Sequence, residues 1–242
     1  MTLKIQAKNV PQPEFNRKLF GRKKGRKLSL QTQELIDTLF KQKLDIKCED
    51  LGEPESYDPK NLFSFEPKQM IAEIGFGNGD MLAVLHKENP DDAFIGCEPF
   101  LNGLGNLLMA IEGNNTRNVR LWQDDALLLL RQFTDNSLDK IYILNPDPWP
   151  KKRHHKRRIV RPETLDLYAR LLKKGGRLIM TTDVDDLAEW MVTQASNHDS
   201  FIWTANSKAD WQNAPEGWVK TKYEKKGEKA GRKQSYLIFE RL

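Results

Sequence analysis

The reactive side chains of this sequence gather in residues 144–158, Leu-Asn-Pro-Asp-Pro-Trp-Pro-Lys-Lys-Arg-His-His-Lys-Arg-Arg. An apolar run, Ile141-Tyr142-Ile143-Leu144, ends where they begin. Asp147 stands between two prolines and Trp149 follows. Proline fixes φ and removes a backbone donor, which predicts a stiff loop rather than a helix or a strand. A rigid loop at a strand end can aim one carboxylate and one ring at a substrate. Lys151, Lys152, Arg153, Lys156, Arg157 and Arg158 crowd beside it with His154 and His155, and such a run needs an anionic partner. A polyanion that carries bases suits the acid, the ring and the cations together. Taken singly, the residues have plainer roles: Asp147 as a turn-former beside proline, Trp149 as a core plug under the loop.

Three further groups sit where short apolar runs end. The first is Glu73-Ile74-Gly75-Phe76-Gly77-Asn78-Gly79-Asp80. Glycines at alternate positions, Gly75, Gly77 and Gly79, let the backbone turn tightly and approach a ligand, and the helix after them offers free N–H groups to an anion. The stretch lacks the Lys-Ser or Lys-Thr of a P-loop, and its third glycine comes too early for Gly-x-Gly-x-x-Gly; alone, it also fits a purely structural turn. Glu98, 25 positions after Glu73, ends the second run and can take both hydroxyls of a ribose. Asp124-Asp125 ends the third; a carboxylate there accepts from an adenine amino group or caps the next helix. Together these describe an adenosine pocket without a phosphate clamp. S-adenosylmethionine fits such a pocket. It carries an adenosine, a sulfonium cation and an amino-acid tail, for which the carboxylates and the helix N-terminus are suited partners.

The elements that must position these groups show in the hydrophobic pattern. Residues 29–44 carry Leu35, Ile36, Leu39, Phe40 and Leu44 at helical spacing, predicting one amphipathic helix, and 60–68 reads as a loop. From Gln69, short apolar runs alternate with helical stretches. Strands are expected at Met70–Ile74, Ala93–Cys97, Val119–Trp122, Leu138–Leu144 and 177–182, with two late ones at 201–204 and 236–240. Helices are expected at 81–88, 101–112, 126–133, 163–172 and 185–197. This alternation predicts an α/β fold, a mostly parallel doubly wound sheet with helices on both faces. Such sheets bind ligands at the carboxyl ends of their strands, where the acids and glycines fall. The chain divides into 1–67, a basic arm plus the amphipathic helix, and 68–242, the sheet domain. Residues 1–21 read as flexible, and 22–27 as a charged extension that orders on a polyanion or serves solubility.

Composition narrows the partners. Of 242 residues, 38% are apolar and 30% charged, enough for one core under a heavily charged surface. The net charge of +5 understates the clustering: five basic residues lie in 21–27, six in 151–158 and seven in 220–233. Clustered cations over a modest net charge point to nucleic acid. No apolar stretch approaches the roughly 20 residues of a membrane span, so no membrane partner is expected. Cys48 and Cys97 have no Cys-x-x-Cys spacing; with so few cysteines and no signal-like start, a reducing cytoplasm is the expected location. Cys97 lies in an apolar run and reads as a buried free thiol. His86, His154, His155 and His198 do not form a metal-ligand spacing, so no metal is expected. Nothing in the sequence selects between monomer and homodimer.

The order Glu-x-Gly-x-Gly-x-Gly, then Glu, then Asp resembles the class I S-adenosylmethionine-dependent methyltransferases, which implies a Rossmann-like sheet with a late antiparallel strand. Residues 145–158 resemble more closely the signature of the bacterial tRNA (guanine-N7-)-methyltransferases: Pro-Asp-Pro-Trp, then a basic run containing Arg-His-x-Lys-Arg-Arg. Thr181-Thr182-Asp183 and Thr221-Lys222-Tyr223-Glu224, with Gly227 and Gly231 after it, are similar to that family's later motifs. The resemblance spans about residues 69–241 and implies methyl transfer from S-adenosylmethionine to N7 of a guanine in the variable loop of tRNA. It implies that Glu73, Gly75, Gly77, Gly79, Glu98 and Asp125 hold the methyl donor, Asp125 being chosen over Asp124 because the family's acid directly precedes an alanine. It implies that catalytic Asp147 sits between donor and guanine, and that Lys151, Asp183, Thr221, Lys222, Tyr223 and Glu224 contact the substrate. It also implies that Arg153, His154, His155, Lys156, Arg157 and Arg158 lie along tRNA.

The chemistry can be argued from the base. Guanine N7 has a lone pair and no proton to lose, so the attack needs no general base. It needs in-line placement against the methyl carbon and stabilisation of positive charge as that charge moves to the purine. Asp147 suits both, and Trp149 can stack on a flipped-out base. Two rival readings are a methyltransferase for exocyclic amines, whose Asn-Pro-Pro-Tyr/Trp loop has a proline where this chain has Asp147, and a non-catalytic RNA-binding protein, against which the intact acids argue.

Overall fold

The computed structural model describes residues 23, 25–47 and 51–242. The expectations for residues 1–21 and for Cys48 fall outside them. Seven strands, β1 (Met70–Ile74), β2 (Ala93–Cys97), β3 (Val119–Trp122), β4 (Leu138–Leu144), β5 (Leu172–Thr182), β6 (Phe201–Trp203) and β7 (Ser235–Arg241), form one sheet in the order β3-β2-β1-β4-β5-β7-β6. β1 to β5 pair in parallel, and β7 runs antiparallel to both β5 and β6. β1 and β2 are buried at every residue. A strand covered on both faces must be apolar on both, which is why these strands read as continuous runs and not as an alternation.

The helices are α1 (Leu30–Leu35), α2 (Asp80–Glu88), α3 (Leu101–Ile111), α4 (Ala126–Leu130), α5 (Pro162–Leu171), α6 (Asp185–Ser196), α7 (Lys208–Gln212) and α8 (Lys222–Lys229). One core layer joins Leu82 of α2 and Leu104, Leu107, Leu108 and Ile111 of α3 to Leu35, Ile36, Phe40 and Leu44. The other joins Leu165 and Tyr168 of α5 and Leu187 and Met191 of α6 to the sheet's opposite face. Each side chain of this size, fully removed from water, contributes about 1.5–3 kcal/mol.

The structure departs from expectation at several ends. The helix foreseen over 29–44 starts at its Ser29 cap but continues through Ile36–Leu44 with a wider π winding, closed by Asp45 N–H to Phe40 C=O at 3.0 Å. The helix foreseen at 126–133 stops at Leu130, and β5 begins five residues early, where Leu172 pairs with Leu138 before an irregular register. Lys152–Arg157, read as part of a stiff loop, winds into a short 3-10 turn. α7 and α8 were not foreseen. The described part of the basic N-terminal stretch is docked on α3: Lys23 C=O accepts from Leu101 N–H (3.0 Å), Gly25 N–H donates to Asn102 Oδ1 (2.7 Å), and Asn102 Nδ2 donates to Arg26 C=O (2.8 Å).

Candidate active site

The sheet's strand order reverses between β1 and its neighbours β2 and β4, and a cleft of about 600 Å³ opens there, at the carboxyl ends of the strands. Its floor is the glycine turn after β1. Gly75, Gly77 and Gly79 have φ of 72°, 58° and 74°, a region that L side chains rarely adopt. A Cβ added at Gly103, in the first turn of α3, would stand 2.2 Å from Gly77 O, so the helix presses on the turn and fixes its shape.

The carboxylates occupy the expected strand ends. Glu98 is buried and accepts from Gly77 N–H (2.7 Å) with one oxygen and Phe100 N–H (2.9 Å) with the other; burial raises its pKa, and these two bonds pull it back. Asp125 lines the cleft and caps α4 by accepting from Leu127 N–H at 3.0 Å. Asp124 lines a separate surface depression with Phe40, Lys41 and Trp122, and lies 3.6 Å from Lys23 Nζ. Glu73 is 5% exposed and takes no hydrogen bond or ion pair among the described residues. Burial, with Asp80 and Glu98 nearby, pushes its carboxyl from 4.5 up to about 8.

The proline loop forms the cleft's outer wall. It is pinned at its start, where Asn145 N–H donates to Thr181 C=O (2.9 Å) and Asn145 Oδ1 accepts from Gln234 Nε2 (2.8 Å). Asn145 and Trp149 both have positive φ, 47° and 45°, which for a bulky aromatic residue is a strained conformation. Asp147 opens to solvent at the cleft mouth, yet the cleft walls desolvate it enough to raise its pKa. Trp149 lines the cleft and is not a core plug; the Arg157 guanidinium lies 4.9 Å from its ring centroid and the His154 ring meets it edge-on at 5.9 Å.

The substrate set implied by resemblance is split. Thr221 and Tyr223 line the cleft, with Tyr223 against Gly77. Lys222 N–H donates to Asp80 Oδ2 at 2.8 Å, tying α8 to the start of α2. Asp183 accepts from Arg232 Nε at 2.8 Å and packs against Gly227. Glu224, expected to contact the substrate, is not in the cleft lining: it is 1% exposed, accepting from Trp218 Nε1 (2.9 Å) and the Tyr236 hydroxyl. In the basic run Lys151, Arg153 and Lys156 are exposed, and His154, His155 and Arg157 half-buried. Arg158, expected along the RNA, is 1% exposed and paired to the Asp186 carboxylate. Gly79 and Lys151 stand outside the cleft wall, while Asp80 and Arg157 belong to it. Asp80 was missed, although its place directly after the glycine turn signalled it.

A strand order of 3-2-1-4-5-7-6 with one antiparallel strand, and acids at the ends of β1 and β2, defines a class I methyltransferase. A methyltransferase family model, Methyltransf_4, matches residues 67–237. A tRNA (guanine-N(7)-)-methyltransferase of Rhodospirillum rubrum is 39% identical over 229 residues, covering 95% of this chain and 89% of the relative. One of Rhizobium meliloti is 41% identical over 222 residues, covering 92% and 94%. Among solved structures, an antibiotic-related methyltransferase superposes with a TM-score of 0.50 at 15% identity, covering 73% of this chain and 89% of that one. The 16S rRNA methyltransferase KamB gives 0.50 at 10% identity, with the same coverages of 73% and 89%. The chain belongs to the tRNA (guanine-N(7)-)-methyltransferase family.

Proposed function

We infer that the chain moves a methyl group from S-adenosylmethionine to N7 of a guanine in tRNA, in the variable loop, and that the work is done in the cleft between the glycine turn and the proline loop. The observation that carries this reading is Glu73, a buried carboxylate without a counter-charge among the described residues, whose pKa is pushed up to about 8 in a cleft walled by further acids. A cationic donor supplies that missing charge, so the residues present fit the group. S-adenosylmethionine, when bound, supplies an electrophilic methyl carbon.

The rest follows from the chain's own residues. Glu98 and Asp125 orient the donor's adenosine through ribose hydroxyls and the adenine amino group; both acids keep free lone pairs beside their backbone contacts. Asp147 accepts from the N1–H and amino group of the guanine, or from the donor's amine, holding N7 in line and offsetting the positive charge that the purine acquires. Half-buried Trp149 and exposed Tyr223, both lining the cleft, are the surfaces on which a flipped-out base stacks. Thr221 and Asp183 fix α8, which carries Tyr223. Lys151, Arg153, His154, His155 and Lys156 meet phosphates and set affinity and register, not base identity. The helix of residues 1–67 is an appended element sharing the core of the 68–242 domain. The enzyme works in the cytoplasm, a compartment that suits the free, buried thiol of Cys97.

The test is methyl transfer to unmodified tRNA by the wild type and by Asp147→Ala, with the product nucleoside identified. We expect 7-methylguanosine from the wild type and a kcat loss of at least about a hundredfold in the variant, the scale of misplaced reactants. Full activity in Asp147→Ala, or a different methylated nucleoside, overturns the reading.

A further inference from the structure

Arg158 closes the most basic stretch of the chain, yet it is only 1% exposed. Its Nε donates to the Pro148 carbonyl at 3.0 Å, and its Nη2 to the Asp186 carboxylate in the first turn of α6. Its guanidinium carbon lies 4.9 Å from the ring centroid of Trp190, also on α6. Trp190 is itself fixed, donating from Nε1 to Val160 C=O at 2.7 Å. The planar fork of an arginine can serve a carbonyl, a carboxylate and a ring face at once; a lysine cannot.

The Pro148 carbonyl is no neutral anchor. Pro148 separates Asp147 from Trp149, and Trp149 holds a φ of 45°. A side chain of that size keeps such a conformation only where the surroundings over-determine it. The loop's start is tied to β5 and to Gln234, while Arg158 ties its middle to α6.

We propose that Arg158 is a positioning residue for methyl transfer: by clamping the Pro148 peptide to Asp186 and Trp190 it aims Asp147 and Trp149 into the cleft. This rests on the reading of the cleft as the methyl-transfer site. It also separates Arg158 from its basic neighbours. Exposed Lys151, Arg153 and Lys156 answer to phosphate; Arg158 answers to the loop.

The experiment is single-turnover methylation of unmodified tRNA by Arg158→Ala, Arg158→Lys and Asp186→Asn, with the salt dependence of tRNA binding measured beside it. Arg158→Ala is expected to lower the rate about a hundredfold, with the dissociation constants of donor and tRNA within about threefold of wild type and the log–log salt slope unchanged. Arg158→Lys does not restore the rate, whereas millimolar ethylguanidinium added to Arg158→Ala partly does. Asp186 is 66% exposed, so Asp186→Asn folds; it lowers the rate about tenfold, and the double variant is no slower than Arg158→Ala alone. An unchanged rate in Asp186→Asn, or an Arg158→Ala protein with normal rate and a flattened salt slope, overturns the proposal. A wild type that does not methylate tRNA refutes the functional reading instead. The fluorine resonance of 5-fluorotryptophan at position 149, expected to shift and broaden in Arg158→Ala, then still reports whether the loop has been released; an unmoved resonance overturns the clamp.

Discussion

Replacing Glu73 by Gln probes the physical basis of donor binding. In the unliganded protein the carboxyl is held near 8 instead of 4.5, chiefly because burial penalises its charge, with Asp80 and Glu98 adding to that. At neutral pH it is mostly protonated, and a cationic donor must draw the proton off. Binding therefore releases close to one proton at pH 6 to 7, and affinity rises by up to tenfold per pH unit until about pH 8, where it levels. Titration calorimetry in buffers of different ionisation enthalpy counts the protons, and dissociation constants at pH 6, 7 and 8 give the slope. Glu73→Gln should bind weakly and flatten the slope by about one. Stability moves the other way. The native state binds the extra proton between 4.5 and about 8, so the group's contribution is complete below 4.5 and is lost as pH rises through 8. At roughly 1.4 kcal/mol per pH unit the full span is worth about 5 kcal/mol, an upper limit because water entry and relaxation return part of it. Unliganded Glu73→Gln should melt several degrees above wild type at pH 8.5, with the gap closing toward pH 5. A wild-type affinity independent of pH from 6 to 8, or a variant with the same slope as wild type, would refute the reasoning.

Two other consequences can be measured directly. Replacing exposed Lys151, Arg153 and Lys156 together by Ala should weaken tRNA binding and lower its log–log salt slope by about 2, at roughly 0.7–0.9 per phosphate, with donor binding intact; a filter-binding series across salt concentrations decides it. Glu224→Ala orphans the Tyr236 hydroxyl and the Trp218 Nε1 and should cost about 2–5 kcal/mol in denaturant unfolding, against about 1 for Tyr236→Phe. Unchanged stability together with a raised KM for tRNA would restore Glu224 to the substrate.

The sheet was legible because β1 and β2 are covered on both faces and so leave nearly continuous apolar runs between glycine and proline punctuation, a pattern that β3 and β4 keep apart from Arg120, Asp139 and Lys140. The acids at their ends were legible too, since a carboxylate after such a run has few structural reasons to be there. Arg158 was not. In a run of six cations nothing local marks the one that turns inward; its partners, Asp186 and Trp190, lie 28 and 32 residues downstream and meet it only in the folded chain. α8 escaped notice because its buried positions, Glu224 and Gly227, are not apolar. Its Thr221-x-x-Glu224 start was a readable capping signal, with Thr221 Oγ1 accepting from Glu224 N–H at 3.2 Å. The π winding of Ile36–Leu44 was not legible, because Leu35, Ile36, Phe40 and Leu44, which pack with α3, already stand at ordinary helical spacing in the sequence.

The place of β7 has a consequence for assembly. It comes last in sequence among the described strands, yet it lies inside the sheet, between β5 and β6, and β6 pairs with no other described strand. Until Ser235 and the residues after it leave the ribosome, the edge of β5 from Arg177 to Thr182 stands open with its backbone donors and acceptors unmet. The nascent domain can bury its β3-β2-β1-β4-β5 half early, but it carries a sticky border until β7 has been made.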